Sequence, residues 1–211
     1  MEKRRSSVLK FIKQLGRKVF TTREIAALSG KSLSVVTQAL NNLEKESVLV
    51  KVYRGLWYEK GDKYVSPYNI IPFLLPRHRA YVSFVSALHL YGIVEQIPQV
   101  ITLASLVHTK VISTKIGVFS FHRIAPSFFD GFCWSKGKGE FLIAEPEKAL
   151  IDSLYLSCRK KKQFGYFPEL HFSEQFHLKN AKGWIRKITN LRIRSCVQKK
   201  FEKIVEGYRI R

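Results

Sequence analysis

The sequence predicts an α+β protein, and three observations lead to this prediction. Apolar residues recur at helical spacing near both ends of the 211-residue chain. Runs rich in β-branched and aromatic residues fill the middle, at 99–105, 110–124 and 140–144. The composition is 45% hydrophobic and 13% aromatic, which supplies enough apolar material for packed cores. We therefore expect helices at both ends, and between them a mainly antiparallel sheet in the larger, second domain.

Two short helices joined by a glycine turn are predicted within residues 20–46. Thr21 and Glu24 have the spacing of a capping box, and Gly30 suits a left-handed turn after the first helix. Ser32 can cap a second helix of about fourteen residues. The apolar positions of that helix form one stripe that is expected to be buried: Leu33, Val36, Leu40 and Leu43.

The opposite face of the second helix carries short neutral polar side chains rather than the Glu and Lys mixture of an ordinary solvated helix. They are Ser34, Thr37, Gln38, Asn41 and Asn42. Asn and Gln can pair with adenine through two hydrogen bonds, and Ser or Thr can contact a base or a phosphate. We expect this face to contact DNA, while a merely solvated polar face is the alternative.

A β-hairpin is predicted directly after these helices. Residues 48–52 form its first strand, Tyr53-Arg54-Gly55 its turn, and residues 56–58 its return strand. Arg54 at the tip is placed to reach a phosphate or a minor groove. With a first helix upstream, this order predicts a winged helix-turn-helix over residues 1–65. The predicted DNA contacts are Lys31, Ser32, Ser34, Thr37, Gln38, Asn41, Tyr53 and Arg54.

The charge of the chain points to a polyanionic partner. The net charge is +21, and residues 176–211 alone hold 11 basic and 2 acidic side chains. A C-terminal helix is predicted there, with an apolar stripe through Ile193, Val197, Phe201, Ile204 and Tyr208. Its other faces carry possible phosphate or partner contacts at Lys199, Lys200 and Lys203. Acidic proteins, anionic lipid and plain solvation remain as alternatives.

The second domain is expected over residues 81–211, after an apolar connector at 66–80. We predict a buried helix at 81–91 that contains His89 as a hydrogen-bonded core residue. A hairpin turn is predicted at 135–140. Pro146 then opens a helix whose packing face is Ala149, Leu150, Ser153, Leu154 and Ser157.

Several classes of protein are disfavoured by what the sequence lacks. Cys133, Cys158 and Cys196 form no CxxC pair, which argues against a disulfide framework and for a reducing compartment. The six histidines show no zinc spacing, no cofactor motif occurs, and no 18-residue apolar stretch suggests a membrane span. We expect a cytoplasmic protein without metal, cofactor or membrane partner.

A nuclease is one enzymatic alternative that the residues raise. Asp130 precedes a strand ending near Glu145, but a lysine at the expected position is replaced by Glu147, and Lys148 comes one residue late. We therefore expect no enzyme. A stand-alone basic nucleic-acid-binding protein is the other alternative to a sequence-specific regulator.

Two segments resemble the AbiEi family of antitoxins and transcriptional regulators, and the order of parts agrees from about residue 6 to 205. They are SFVSALHLYG at 83–92 and AEPEKALIDSL at 144–154. The resemblance implies a repressor of its own operon that binds inverted repeats through Ser34, Thr37, Gln38, Asn41, Tyr53 and Arg54. It also implies an α+β second domain that antagonises a nucleotidyltransferase-like toxin, directly or indirectly.

Overall fold

The computed structural model describes residues 2–61, 65–135, 140–159, 163–164, 166, 169–172 and 176–209. The chain forms two units: Met1–Leu74 with Ser113–Ile116, and Leu75–Ile112 with Gly117–Arg211. Both contain helices and strands, so the predicted α+β class is confirmed. Among the described residues, no helix combines the length and apolar character needed to cross a bilayer.

Within its described residues, the first unit contains three longer helices, a four-residue helix, a 3₁₀ turn and a three-stranded sheet. Its elements are α1 (Glu2–Leu15), β1 (Val19–Thr21), α2 (Thr22–Ser29), α3 (Leu33–Lys45), β2 (Leu49–Tyr53), β3 (Leu56–Glu59), a 3₁₀ turn (Pro67–Ile70) and α4 (Ile71–Leu74). The strand order is β1-β3-β2 with both pairs antiparallel, and Phe20 lies opposite Trp57.

The helix boundaries of this unit follow from local capping, and the predicted caps are confirmed. The Thr21 hydroxyl accepts from the Glu24 amide at 3.2 Å, and the Glu24 carboxylate accepts from the Thr21 amide at 2.7 Å. Gly30 ends α2 with φ of 64°. The Ser32 hydroxyl accepts the amide of Val35 at 3.4 Å, which starts α3.

The core of the first unit is built from helices α1, α2 and α3 and the sheet. It consists of Val8, Ile12, Phe20, Ile25, Val36, Leu40, Leu43, Leu49 and Trp57. The predicted buried stripe is wrong at Leu33, which is 50% exposed. Leu33 is the first residue of α3, and helical side chains lean toward the N-terminus. Its side chain therefore extends past the end of the helix rather than over the core.

The second unit combines a six-stranded sheet with four helices among the described residues. Its elements are β4 (Ala80–Val82), α5 (Phe84–Leu90), β5 (Val100–Ser105), β6 (Lys110–Thr114), β7 (Gly117–Arg123), a 3₁₀ turn (Pro126–Phe128), β8 (Phe132–Trp134), β9 (Leu142–Ala144), α6 (Pro146–Ser157), α7 (Leu178–Arg186) and α8 (Leu191–Arg209).

The sheet of the second unit is mixed, so the expected mainly antiparallel sheet is wrong. The strand order is β6-β7-β5-β4-β9-β8. β4 pairs with β5 and β8 with β9 in antiparallel fashion, whereas β4–β9 and β5–β7 are parallel. The parallel pair β5–β7 arises because β7, and not the preceding β6, lies beside β5. Strand sequences alone do not reveal that order.

The predicted helix at 81–91 is correct only for its second part. Tyr81 and Val82 belong to β4, Ser83 precedes the helix, and α5 begins at Phe84. Aromatic and β-branched residues suit strands, and here the ladders with β5 and β9 decide the outcome. The hairpin turn predicted at 135–140 falls largely on residues 136–139, which lie outside the described residues.

The helix that begins at Pro146 is confirmed, and the five residues of its predicted packing face are all buried, although burial extends beyond that face. Every residue of α6 from Glu147 to Ser157 is buried, including Lys148 and Asp152. The helix lies inside the second unit, where it contacts α5, α7 and α8. A helix buried on all sides needs partners for its charges, and the sequence pattern did not anticipate them.

A disulfide joins Cys158 at the end of α6 to Cys196 in α8, so the expectation of no disulfide framework is wrong for this pair. The two residues stand 38 positions apart in the sequence. Only the packing of α8 on α6 brings them together, which their spacing could not show. Cys133 is free and exposed.

Candidate nucleic-acid interface

One face of α3 carries the polar residues that the sequence singled out. Ser34 and Gln38 are exposed, and Thr37 and Asn41 are half-buried. The opposite face is fixed in the core by three residues with no more than 2% exposure: Val36, Leu40 and Leu43. Because that buried stripe sets the rotation of the helix, the polar face is held toward the surface.

Two of the predicted hydroxyl contacts are already engaged within the helix. The Thr37 hydroxyl donates to the Leu33 carbonyl at 2.7 Å, one turn back. The Ser32 hydroxyl accepts the Val35 amide and lies 3.1 Å from the Ser34 hydroxyl. Thr37 thus retains only acceptor capacity for a ligand. Ser34, Gln38 and Asn41 are the members of this face best able to bind a base.

The hairpin between β2 and β3 is anchored to the start of α2. Gly55 turns the chain with φ of 67°, and its carbonyl accepts the Thr22 amide at 2.9 Å. The Trp57 indole donates to the Thr22 hydroxyl at 2.8 Å. Arg54 is exposed at the turn, and Tyr53 is half-buried at the end of β2. The tip therefore presents the Arg54 guanidinium from a backbone that is held at fixed positions.

The predicted contact Lys31 lies in the turn between α2 and α3, and two residues that the prediction did not include, Arg23 and Val35, lie in the helices on either side of it. Lys31 is half-buried, and its amide donates to the Ser29 hydroxyl at 3.4 Å. Arg23 is exposed in the first turn of α2. Val35, in the first turn of α3, is 43% exposed. Its position off the 36–40–43 stripe was the signal that could have identified it.

A basic groove runs along α8 in the second unit. Its volume is about 390 Å³, and its lining comprises Arg192, Ser195, Cys196, Lys199, Lys200 and Lys203. The predicted apolar stripe holds the helix at Val197 and Phe201, which are buried, whereas Ile193 and Ile204 are half-buried. The side chain of Tyr208 lies outside the described part. Arg192, which was not among the predicted contacts, also lines the groove.

The three predicted lysines of α8 are not equivalent. Lys199 and Lys203 are exposed. Lys200 is half-buried, and its ammonium donates to the Ser157 hydroxyl at 2.8 Å. Lys200 therefore helps to dock α8 on α6, while its two neighbours extend their charges into the groove.

A buried ionic cluster lies between β4, α5 and α6. The Lys148 ammonium pairs with the Asp152 carboxylate one turn later. Asp152 also accepts hydrogen bonds from the Ser83 hydroxyl at 2.8 Å and the Tyr81 hydroxyl at 3.0 Å. Burial lowers the pKa of Lys148 and raises the pKa of Asp152, and their mutual attraction opposes both shifts. Both side chains are fully buried, so this cluster offers no access to a substrate.

The residues that raised the nuclease alternative have separate partners. Asp130 pairs with Lys187 at 3.2 Å, and the Glu147 carboxylate accepts the His177 amide at 2.6 Å. Lys148 is engaged by Asp152. Within the described residues, no three His, Cys, Asp or Glu side chains are grouped as a metal ion requires. His89 has the predicted hydrogen bond, between Nδ1 and the Val94 carbonyl at 3.1 Å, but it is half-buried rather than part of the core.

Comparison with known proteins adds no relative. No family model matches the chain, and no curated protein matches it significantly. The segments at 83–92 and 144–154 meet in this fold, because the Ser83 hydroxyl of the first donates to the Asp152 carboxylate of the second. Ser83, Lys148 and Asp152 of these segments form contacts in the core of the second unit.

Proposed function

We propose that this protein is a sequence-specific transcriptional regulator that binds double-stranded DNA through a winged helix-turn-helix in its first unit. The polar surface of α3 carries the proposal. Ser34 and Gln38 are exposed beside the half-buried Asn41, opposite a stripe that fixes the helix in the core. This arrangement suits a recognition helix, whose N-terminal residues reach base edges in the major groove.

The proposed binding mode divides the contacts into two kinds. Gln38 and Asn41 pair with adenine through their carboxamides, and Ser34 contacts a neighbouring base or phosphate. Arg54 at the hairpin tip and Arg23 at the start of α2 bind phosphates, which position the helix without reading sequence. The net charge of +21 favours association with a polyanion, and this binding needs neither metal nor cofactor.

We further propose that the operator is an inverted repeat in the promoter of the gene itself, bound in the cytoplasm by two copies of the chain. An operator with two-fold symmetry is expected when each of the two copies binds one half-site. This part, and the antitoxin role against a nucleotidyltransferase-like toxin, rest on the resemblance of the segments at 83–92 and 144–154. The antitoxin role is tested by co-expression with such a toxin encoded next to the gene. If this protein did not relieve the growth arrest caused by the toxin, or if no such toxin gene lay next to its own gene, the result would count against the antitoxin role.

The DNA-binding proposal is tested by selecting ligands for the full-length protein from a pool of random duplexes. We expect an inverted-repeat sequence that binds at least about 10³-fold more tightly than random duplex at physiological salt. Equal affinity for random duplex and for RNA would instead favour a general basic nucleic-acid-binding protein. Metal-dependent cleavage of the pool would favour a nuclease.

A further inference from the structure

An exposed valine lies beside the polar face of α3. Val35 is 43% exposed. The core of the first unit contains Val36, the next residue, and not Val35. Val35, in the first turn of α3, therefore places an aliphatic side chain at the surface beside the polar face.

We propose that Val35 contacts the C5-methyl group of a thymine, so that the half-site contains an A·T pair where the first two turns of α3 enter the major groove. This inference deepens the proposed function and rests on it. Val35 would be a specificity-determining residue, because the thymine C5-methyl is the only methyl group that the four standard bases present in the major groove.

Helical geometry places Val35 next to the carboxamide that would bind adenine. Successive residues turn by about 100°, so Val35 and Gln38 are separated by about 60° around the helix and about 4.5 Å along it. Ser34, Gln38 and Asn41 fall within about 60° of one another. Val35 therefore borders this polar strip, on the side away from Leu33.

The side chains beside Val35 indicate which chemical group it contacts. Gln38 and Asn41 can bind adenine through N6 and N7, and every adenine in a duplex is paired with a thymine that presents its methyl in the same groove. An aliphatic side chain next to such a carboxamide complements an A·T pair, or two adjacent ones, better than a G·C pair. If Val35 packed against a second copy of this chain instead, that contact would not require the adjacent carboxamides and hydroxyl.

The test removes the methyl group from the DNA and the isopropyl group from the protein. In the duplex selected by the full-length protein, each thymine is replaced in turn by deoxyuridine, which lacks only the C5-methyl. We expect one or two replacements in each half-site to weaken binding about fourfold, the factor that corresponds to about 0.8 kcal/mol for one buried methyl group. In the Val35→Ala variant, the same replacements should change affinity less than about 1.5-fold, because this variant already lacks the side chain that the thymine methyl would contact.

Leu28→Ala is the matched control, since Leu28 is also 43% exposed but lies in α2. The Leu28 variant should keep the full deoxyuridine effect. A deoxyuridine loss that persists in Val35→Ala, or a selected half-site with only G·C pairs, would overturn the inference while leaving the DNA-binding proposal intact. A change in the DNA-free oligomeric state of Val35→Ala would assign this side chain to a second copy. No selected sequence at all would remove both proposals.

Discussion

The indole Nε1–H of Trp57 donates a 2.8 Å hydrogen bond to the hydroxyl of Thr22, and both side chains are buried. This bond joins β3, which returns from the hairpin tip, to the first residue of α2. The Thr22 amide also binds the Gly55 carbonyl within the turn. A core contact thus fixes the geometry of an exposed loop that carries Arg54.

Thr22→Val tests this relationship. The substitution keeps the shape of the side chain but leaves the buried indole N–H without its acceptor, at a cost of about 1–3 kcal/mol. We expect denaturant unfolding to show that loss, and DNA binding to weaken because the hairpin tip is less well held. Thr22→Ser retains the hydroxyl and should stay close to the parent. Equal stability of the Val and Ser variants would contradict the role assigned to this bond.

Gln38→Ala and Asn41→Ala should weaken binding to the selected operator by about 1–3 kcal/mol each while leaving random duplex almost unaffected, because lost base contacts reduce discrimination. Arg54→Ala should weaken all sequences alike. Gln14→Ala, an exposed glutamine in α1, is the matched control. Filter binding or gel retardation at fixed salt measures all four variants. Similar losses on operator and random DNA would identify the α3 residues as a solvated face.

The salt dependence of DNA binding tests the basic groove on α8. The logarithm of the affinity falls as the logarithm of the salt concentration rises. If the groove contacts phosphates, Lys199→Gln and Lys203→Gln should each make that negative slope shallower by about 0.9. Lys200→Gln should change it less, because its ammonium is already bound to Ser157. Lys110→Gln, an exposed lysine of β6, serves as control. An unchanged slope in the Lys199/Lys203 double variant, with weaker binding of an acidic protein partner, would assign the groove to that partner.

Lys148→Met should destabilise the second unit by about 3–5 kcal/mol, because it leaves the Asp152 carboxylate buried without its counter-ion. The double variant Lys148→Met/Asp152→Leu removes both charges and should recover a large part of that loss. Chemical denaturation of the full chain provides the measurement. A double variant no more stable than the single one would show that Ser83 and Tyr81 need the carboxylate as much as Lys148 does.

Loss of the Cys158–Cys196 disulfide should reduce stability by about 2–4 kcal/mol, since the open chain gains conformational freedom when unfolded. The variant Cys158→Ser/Cys196→Ser and treatment of the parent with a dithiol should give the same unfolding curve. Cys133→Ser alters the free, exposed cysteine and should leave the curve in place. Coincident curves for the parent with and without reductant would show that the pair does not stabilise the fold.

Features with local causes were predictable from the sequence. The capping pair Thr21 and Glu24, the turn at Gly30 and the start of α6 at Pro146 each depend on residues within a few positions. The polar strip of α3 was visible for the same reason, since helical spacing alone assigns it to one face.

Features decided by distant partners were not predictable. The mixed sheet depends on which strands meet, and the disulfide depends on where α8 packs. α6 carries Lys148 and Asp152, and charged residues ordinarily indicate a solvent-facing side. Their mutual pairing allowed complete burial, which a pattern of single residues does not reveal. Leu33 was predicted to be buried because the spacing of apolar residues does not show that its side chain lies at the end of the helix.

The bond between Cys158 and Cys196 also changes what a protease can accomplish. The sequence RKKK at 159–162 gives trypsin four consecutive sites, all inside the 38-residue interval that the disulfide spans. A cut there breaks the backbone but leaves both pieces in one covalent molecule. The nicked protein should run as a single species on a denaturing gel without reductant and separate into two after reduction. The basic helix α8 would thus remain tethered to the rest of the chain after the peptide connection to it has been severed.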